Sequence, residues 1–365
     1  MTISKITTFL ENIAPLRLQE DYDNAGLLIG NANDECTGIL VSLDVTESVI
    51  EEALRKNCNL VVAHHPIIFR GIKKLNGENY VERTVISAIK NNIAVYAIHT
   101  NLDNVLQGVN KKIAEKLGLH NCKSLLPKEG TLQKLLTFAP AKNADAVRNA
   151  LFEAGAGAIG KYDECSFNVE GSGTFRASEG SHPFVGKIGE RHHENETRIE
   201  MIFSSFLQNK IIRSLKAAHP YEEVAYYIHA LENAQDDIGS GLIGELADNI
   251  TETQLFNGIR TAFHLSVIKH TPFLNKPVNK IAVCGGAGIF LLKNAIAAGA
   301  QVYITSDIKY HEFFDAEAKI LLVDIGHYES EQFTIELLIE FLQQKFPNFA
   351  VQKTEINTNP VSYFI

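Results

Sequence analysis

Two adjacent histidines, His64 and His65, follow directly on the apolar run NLVVA and stand immediately before Pro66. Successive side chains of an extended chain point to opposite sides, and a proline biases the residue before it towards the extended form. The two imidazoles could therefore each face a different metal ion of a close pair. The alternative is that they are capping or core histidines, which is the more common role of a single histidine.

Two further segments each place a carboxylate four residues after a histidine that follows an apolar run. His99 and Asp103 lie in HTNLD, and His327 and Glu331 lie in GHYESE. If the chain turns helically after the strand, both side chains of a pair share one face. Histidine and carboxylate donors together suit zinc, manganese, iron, cobalt or nickel better than calcium. Asp103 could instead cap a turn or helix, and Glu331 could be stabilised by the dipole in the first turn of a last helix.

All three sets of donors follow short apolar runs that we predict to be parallel strands. Ligands gather at the carboxyl ends of parallel strands, so the sets could converge at one edge of one sheet. Two ions roughly 3.5–4 Å apart can clamp and activate one water molecule, and a carboxylate can bridge them. The sequence therefore predicts a site for two divalent ions, with Glu331 or Asp103 as the bridging carboxylate.

Other polar residues are predicted to lie near the same edge. Asp307 and His311 follow the strand VYIT and are our candidates for catalytic groups in the pocket, with His311 as a general acid or base. Asp44 follows the first strand, where it could support a ligand or cap the next helix. Asp23 and Asn24 lie in the loop DYDNAGLLIG.

Two glycine-rich segments resemble phosphate-binding turns to different degrees. Residues 284–288, CGGAG, stand between a strand and a helix, where backbone amides can hold a phosphate. A plain tight turn explains this segment equally well. Residues 155–161 match most of a P-loop, but Tyr162 replaces the required Ser or Thr and the segment follows a helix. We interpret those glycines as a helix cap and a connection.

The order of apolar runs predicts an α/β domain with a mostly parallel sheet, interrupted by an insert. Residues 1–126 and 238–365 form the discontinuous α/β domain. Residues 127–237 read as strand, helix, strands, helix and strand, which indicates a ferredoxin-like α+β unit with a mobile polar loop at 180–196. In the α/β domain the predicted helices include an N-terminal amphipathic helix, Glu47–Lys56, Val81–Asn91, Val109–Leu117, Phe290–Ala298, His311–Ala318 and Ser330–Lys345, and the predicted strands are Ile39–Leu43, Leu60–Ala63, Ile93–Ile98, Lys280–Cys284, Val302–Thr305 and Ile320–Asp324.

The amino-acid composition argues against several classes of protein. The 365 residues include 34 Lys and Arg against 43 Asp and Glu, a net charge of −9, so nothing general favours nucleic acid as a partner. Five widely spaced cysteines predict neither a disulfide framework nor a zinc ribbon, and they fit a reducing cytoplasm. No run approaches the ~18 apolar residues of a membrane span.

Six ordered motifs resemble the signature blocks of the GTP cyclohydrolase I type 2 family, also called the Nif-three-like family. They are DYDNAGLLIG, VVAHHPIIF, IHTNLD, GGAG, TSDIKYHE and GHYESE. The insert motifs GSGTFRASEGSHPFVG, AHPYEEVAYYI and GSGLIGEL resemble the P-two/CutA-like domain of its longer members. Tyr22 and Ser306 depart from the residues that the family often has there.

The resemblance implies a two-metal centre, a ring-shaped homo-oligomer that we expect to be a hexamer, and opening of the guanine ring of GTP. Nothing in the residues themselves selects guanine. By position, the implied metal ligands are His64, His65, Asp103, His327 and Glu331, with His99 as a sixth.

Two functions follow as hypotheses. The first is a metal-dependent hydrolase that acts on a nucleotide or another phosphoester. The second is a metal-handling or regulatory metal-binding protein without turnover. A scaffold that encircles nucleic acid is disfavoured by the net charge of −9.

Overall fold

The computed structural model describes residues 1–364. The chain divides into two compact units. The first combines Met1–Pro127 with the chain from Asp236 onward, and the second is Lys128–Gln235. Over the described residues the strands are β1 (Gly26–Ile29), β2 (Ile39–Ser42), β3 (Leu60–Ala63), β4 (Ala94–Ala97), β5 (His120–Pro127), β6 (Leu132–Pro140), β7 (Phe167–Arg176), β8 (Arg191–Ser204), β9 (Tyr226–Ala230), β10 (Gly239–Ile250), β11 (Lys269–His270), β12 (Val278–Val283), β13 (Val302–Thr305), β14 (Leu321–Asp324) and β15 (Val351–Lys353).

The helices begin where the sequence supplies capping side chains. Thr46 accepts a hydrogen bond from the amide of Val49, and Thr251 forms a reciprocal capping box with Gln254. The α-helices are α1 (Ile3–Ile13), α2 (Glu47–Arg55), α3 (Tyr80–Lys90), α4 (Thr100–Asp103), α5 (Val109–Leu117), α6 (Ala144–Ala154), α7 (Gln208–Ala218), α8 (Glu252–Ala262), α9 (Leu292–Ala297), α10 (His327–Glu331) and α11 (Thr334–Lys345), and 3₁₀ segments occur at Leu16–Leu18, Ala141–Asn143, Ser205–Leu207, Ile289–Leu291 and Tyr310–Ala316.

The first unit contains two sheets, not the single sheet that the sequence led us to expect. One has the order β1-β4-β3-β2-β15, in which β4, β3, β2 and β15 are parallel and β1 is an antiparallel edge strand. The other has the order β11-β14-β13-β12-β10-β5, with only β14, β13 and β12 parallel. A run of buried residues indicates a strand but does not say which strand it pairs with, so the apolar runs alone do not separate the two sheets.

Side chains alternate along each strand and point to both faces of the two sheets. The buried ones form three hydrophobic clusters. In β3, Leu60 and Val62 join a large cluster that also contains Val302 and Ile304 of β13. Helices α1, α5, α8 and α11 and further strands of both sheets also contribute to this shared cluster. The opposite side chains of β3 pack under α2 and α3, and those of β13 pack under α9. Because both faces of the central strands are covered, these strands read as continuous apolar runs.

The second unit has its own sheet and its own core. Strands β7, β8, β6 and β9 lie in that order and every neighbouring pair is antiparallel. Its buried cluster includes Leu135, Ile199 and Ile211, and all the buried members come from this unit. The polar loop predicted at 180–196 ends before residue 191 in the structure, because β8 begins at Arg191 and pairs with β7 from there.

Three local predictions in the first unit need correction. The long helix predicted at Ser330–Lys345 is interrupted, so that α10 ends at Glu331 and α11 begins at Thr334. The helix predicted at His311–Ala318 is the 3₁₀ segment Tyr310–Ala316, which ends at Glu317 in a left-handed conformation. The loop DYDNAGLLIG contains strand β1. None of the helices in residues 1–364 combines the length and apolar character needed to cross a membrane.

Candidate metal centre

Five of the six predicted ligands line a cavity of about 810 Å³ in the first unit, and His64 is buried directly behind them. His64 and His65 follow β3, and His99 and Asp103 follow β4, so these four residues belong to the first sheet. His327 and Glu331 lie on α10, directly after β14 of the second sheet. The site is therefore built where the carboxyl ends of parallel strands from two sheets meet.

His64 is fully buried and one of its ring nitrogens has no partner. Its Nδ1 lies 2.9 Å from the carbonyl oxygen of Ile98, to which it donates. Its Nε2 lies 3.7 Å from Oδ1 of Asp103 and 3.8 Å from Oε1 of Glu331. Neither His64 Nε2 nor Asp103 Oδ1 has a hydrogen-bond partner among the described residues, although both atoms are buried. Buried polar atoms without partners are uncommon, and these two lie 3.7 Å apart among other metal-type donors, where an ion would satisfy both.

His65 and His327 face the other oxygen of Glu331. The Nε2 atoms of the two rings are 3.3 Å apart, and they lie 3.0 and 3.1 Å from Oε2 of Glu331. Each Nδ1 donates to a carboxylate 2.7 Å away, Asp44 for His65 and Asp307 for His327. In a neutral ring this leaves the lone pair on Nε2, so three acceptor atoms face one another. Either protons or a cation must occupy the space between them.

His99 lies beside these groups, and its orientation is fixed in the same way. Its Nδ1 donates to Oδ1 of Asp23 at 2.7 Å, while the amide and hydroxyl of Thr100 donate to Oδ2 of Asp23 at 3.0 and 2.5 Å. Donor atoms of His64, His65 and His99 all lie within 4.8 Å of one another. Histidine ligands of metals characteristically donate their second N–H to a carboxylate or carbonyl, and all four histidines here do so.

The pKa values of the side chains at the site depend on the charges of their neighbours. Burial lowers the pKa of His65, but the hydrogen bonds with Asp44 and Glu331 outweigh it and raise the pKa to about 10. His327 behaves similarly, with its pKa raised to about 9, chiefly by Glu331 and then by Asp307. Burial and the neighbouring charge of Glu331 raise the pKa of Asp103. A divalent cation would stabilise the charged form of Asp103, and it would compete with protons for the two imidazoles.

Comparison with known proteins agrees with these motifs and this geometry. A model of the Duf34/NIF3 (NGG1p interacting factor 3) family matches residues 1–360. The chain belongs to the Duf34/NIF3 family. The resemblance drawn from the six sequence motifs is thereby confirmed.

Relatives in the family match over the whole length of the chain. A protein of Halalkalibacterium halodurans named GTP cyclohydrolase 1 type 2 homolog is 37% identical over 363 residues, covering 98% of both chains. The Bacillus subtilis protein of the same name is 36% identical over 366 residues, with 98% of both chains covered. A crystal structure of a Bacillus cereus protein related to NIF3 has a TM-score of 0.88 and 35% identity, covering 100% of this chain and 99% of that one.

In this Duf34/NIF3 protein, the helix dipole does not explain the charge of Glu331, as the sequence suggested it could. We expected it in the first turn of a long helix, but it is the last residue of α10, where a helix dipole does not favour a carboxylate. Burial raises the pKa of Glu331, but contacts with His327, His64 and His65 outweigh burial and hold the pKa well below its usual range. Contacts with the histidines therefore stabilise the buried charge of Glu331.

The glycine turn after β12 supports Glu331 and is a tight turn. Three of its amides already donate within the protein: Gly285 to Asn110, Gly286 to Ser330 and Gly288 to Thr305, at 2.9–3.0 Å. Those three amides are not free to hold a phosphate. A Cβ on Gly286 would clash with Oε1 of Glu331, so the backbone approaches the carboxylate as closely as only glycine allows.

The two residues that we predicted to be catalytic are placed differently. Asp307 lines the cavity, holds His327, and adopts a left-handed backbone conformation with φ of 56°. His311 is exposed, meets Tyr310 edge-on, stacks on Phe314, and is not among the residues that line this cavity. The 3₁₀ segment Tyr310–Ala316 thus places His311 outside the cavity wall.

One supporting residue escaped sequence analysis altogether. The hydroxyl of Thr358 donates to Oδ2 of Asp44 at 2.6 Å, so the C-terminal tail reaches the carboxylate that orients His65. Thr358 lies 314 positions from Asp44 along the chain and belongs to no recognisable motif. The pairing of β15 with β2 brings this part of the tail to the site.

Proposed function

We propose that this protein holds two divalent metal ions and uses them to hydrolyse a nucleotide or another phosphoester. The proposal rests on the two carboxylate oxygens of Glu331, which face separate groups of donors. Its Oε1 faces His64 Nε2, and its Oε2 faces the Nε2 atoms of His65 and His327. A carboxylate with its two oxygens directed to separate groups of donors suits a bridging ligand of two ions.

The donors divide into two groups around Glu331. His64, Asp103 and Oε1 of Glu331 would hold one ion, and His65, His327 and Oε2 of Glu331 would hold the other. His99 is close enough to His64 and His65 to act as a further ligand. Nitrogen and oxygen donors without thiolates accept zinc, manganese, iron, cobalt or nickel, so the donor set fits a divalent transition metal without choosing one.

Bound divalent ions lower the pKa of a coordinated water from about 15.7 towards ~7 and polarise phosphoryl oxygens. The chain supplies the orientation for this chemistry. Asp44, Asp307 and Asp23 hold the protons of His65, His327 and His99 on Nδ1, which keeps each Nε2 available as a ligand. Asp307 therefore acts here as a positioning residue. His311 has no part in the proposal, because its side chain lies outside the cavity wall.

The names of the relatives support a nucleotide as the substrate class. The Halalkalibacterium halodurans and Bacillus subtilis proteins are both named GTP cyclohydrolase 1 type 2 homolog. GTP is therefore the first substrate to assay, followed by a panel of phosphoesters.

Elemental analysis of the purified protein tests the proposal together with the variants His65→Ala and Glu331→Ala. We expect two equivalents of metal in the unaltered protein and the loss of at least one in each variant. The metal-loaded protein should hydrolyse GTP or a phosphoester, and both variants should lose this activity. A protein with full metal but no turnover across the panel would contradict the enzymatic part.

A metal-handling protein is the second candidate, and one observation favours it. The side chain of His327 is 39% exposed and that of Asp307 is 50% exposed, whereas His64 is fully buried. The ion held by His327 would thus be near solvent and could exchange. Rapid transfer of one metal equivalent to a competing apo-protein, without turnover, would support this function over hydrolysis.

Two structural expectations from the sequence accompany the proposal. The strand order β7-β8-β6-β9, entirely antiparallel and with helices after β6 and β8, supports a ferredoxin-like insert of the P-two/CutA-like kind. The hexameric ring stays a prediction, which measurement of the mass in solution can test.

A further inference from the structure

A second cleft, of about 560 Å³, opens beside the metal cavity. The two share Pro66 and Phe69 as wall residues. The ring of Phe69 lies 6.1 Å from that of His99 and 6.2 Å from that of Tyr22, measured between centroids. Immediately after Phe69 comes the segment 70–74, which we call the basic loop, and it lines the second cleft.

The basic loop concentrates positive charge that forms no ion pair within residues 1–364. Arg70, Lys73 and Lys74 are exposed, and no carboxylate of the described residues lies within ion-pair distance of them. Three unpaired cations within five residues reverse the charge locally in a chain whose net charge is −9. Such a cluster attracts anions, and the attraction is strongest at low ionic strength.

The basic loop is anchored by Ile72 within it and by the residues that follow it. One carboxylate oxygen of Glu82 accepts the amides of Asn76, Gly77 and Glu78 at 3.0–3.3 Å. The other oxygen accepts the side-chain amide of Asn79 at 2.7 Å. Ile72, within the basic loop, packs against the core cluster under the first sheet. Glu82 also lines the cleft, but its oxygens are directed to these amides.

The metal cavity itself offers an anion little besides the metal ions. Its wall contains carboxylates from both sheets, and Lys269 already pairs with Asp324 at 2.5 Å. A substrate with several negative charges would be repelled by this wall wherever the ions did not reach. The unpaired cations next to it are those of the basic loop.

We propose that the second cleft binds phosphate groups of the substrate, with Arg70, Lys73 and Lys74 as the anion contacts. The substrate is then a small molecule with more than one phosphate, whose reacting end lies at the metal pair. This inference rests on the proposed function for the position of the reacting end. Arginine suits the task because its guanidinium can bind phosphate oxygens in pairs. Three cations and a cleft of about 560 Å³ fit such a molecule better than a nucleic-acid strand.

The test uses full-length protein freed of metal with a chelator, so that the cleft is measured without the ions. Tripolyphosphate is titrated by calorimetry into the unaltered protein, into the double variant Lys73→Gln/Lys74→Gln, and into the control Lys90→Gln/Lys293→Gln. The control removes two exposed lysines that line neither cavity. We expect about tenfold weaker binding in the first variant, none or little change in the control, and a smaller dependence on salt in the first variant alone.

Metal content separates this inference from the proposed function. The Lys73→Gln/Lys74→Gln variant should retain as much metal as the unaltered protein, because neither lysine is a ligand. Loss of tripolyphosphate binding with full metal content supports the phosphate subsite even if no hydrolysis is found. Equal weakening in both variants, absence of binding to the metal-free protein, or tighter binding of a single-stranded oligonucleotide than of tripolyphosphate would overturn it.

Discussion

The four histidines at the site each have one nitrogen bound to an oxygen acceptor and the other directed inwards. The inward nitrogens lie among the oxygens of Asp103 and Glu331, and without a cation the buried acceptors are partly unsatisfied. Supporting carboxylates therefore matter as much as the ligands. Removing such a supporting group typically weakens metal affinity by about 10- to 100-fold in other proteins.

Thr358→Val should weaken binding of the ion that His65 and His327 would hold. Valine keeps the size of threonine but removes the hydroxyl that donates to Asp44, so Asp44 is less firmly placed to orient His65. We expect the affinity for one of the two metal equivalents to fall by about tenfold, as measured by competition with a chromophoric chelator. Thr358→Ser should restore it, and an unchanged affinity in the valine variant would show that the tail does not position Asp44.

Gly286→Ala should lower both the metal content and the free energy of unfolding. Gly286 and Gly299 both have positive φ, 63° and 74°, so alanine costs about 1 kcal/mol or more of backbone strain at either position. Only at position 286 does the new methyl group meet Glu331, because nothing lies within 4 Å of the Cβ position of Gly299. We expect Gly299→Ala to keep both metal equivalents and Gly286→Ala to lose at least one, by elemental analysis. Full occupancy in both would refute the close-packing argument.

Among the elements, β15 and the tail after it hold the C-terminus beside the site. The buried carboxylate of Glu52 on α2 accepts hydrogen bonds from the hydroxyl of Thr354 and the amide of Glu355, the latter at 2.8 Å, and pairs with Lys56 at 2.9 Å. Burial raises the pKa of Glu52, but these hydrogen bonds and Lys56 lower it overall.

Because the pKa of Glu52 is lower in the folded state, its stabilisation is present above the ordinary pKa of Glu and is lost as the pH falls through the folded value. Glu52→Gln should therefore lower the free energy of unfolding by about 1–3 kcal/mol at pH 7. The difference from the unaltered protein should shrink below pH ~4.5. Urea denaturation at several pH values measures this. Glu51→Gln, exposed on the same helix, should change little at any pH.

At the scale of the whole molecule, the two units have separate hydrophobic clusters. The cluster of the second unit draws its buried members only from residues 135–215, and the three other clusters draw theirs from the first unit. The candidate metal ligands all belong to the first unit. Stabilisation by metal should therefore appear in the unfolding of the first unit.

Ile211→Ala should destabilise the second unit by about 2–5 kcal/mol, because it leaves a cavity in that core. We expect hydrogen exchange of strands β6–β9 to accelerate while metal content stays unchanged. Ile281→Ala, fully buried in the first unit, is the matched comparison and should accelerate exchange around β12 and weaken metal retention. Equal acceleration of exchange throughout the chain in both variants would show that the units unfold together.

Several elements could be predicted accurately because their signals are local. Strand Leu60–Ala63 and helix Val109–Leu117 have the predicted bounds, since apolar runs and a glycine stop mark them in the sequence. The break between α10 and α11 could not be predicted, because residues 330–345 read as one amphipathic helix. Strands β10 and β5 were missed, and with them the second sheet, because pairing between distant segments leaves no mark on either segment alone.

The sequence by itself determined which side chains could bind metal, since the residue types His64, His65, Asp103, His327 and Glu331 and their places after apolar runs are local properties. It also determined that this is a mixed α/β protein of the Duf34/NIF3 family. Only the tertiary structure decided that two sheets bring the donors together, that Glu331 divides its oxygens between two groups, and that Thr358 supports Asp44. Those relations depend on contacts between residues hundreds of positions apart, which packing creates and no short segment encodes.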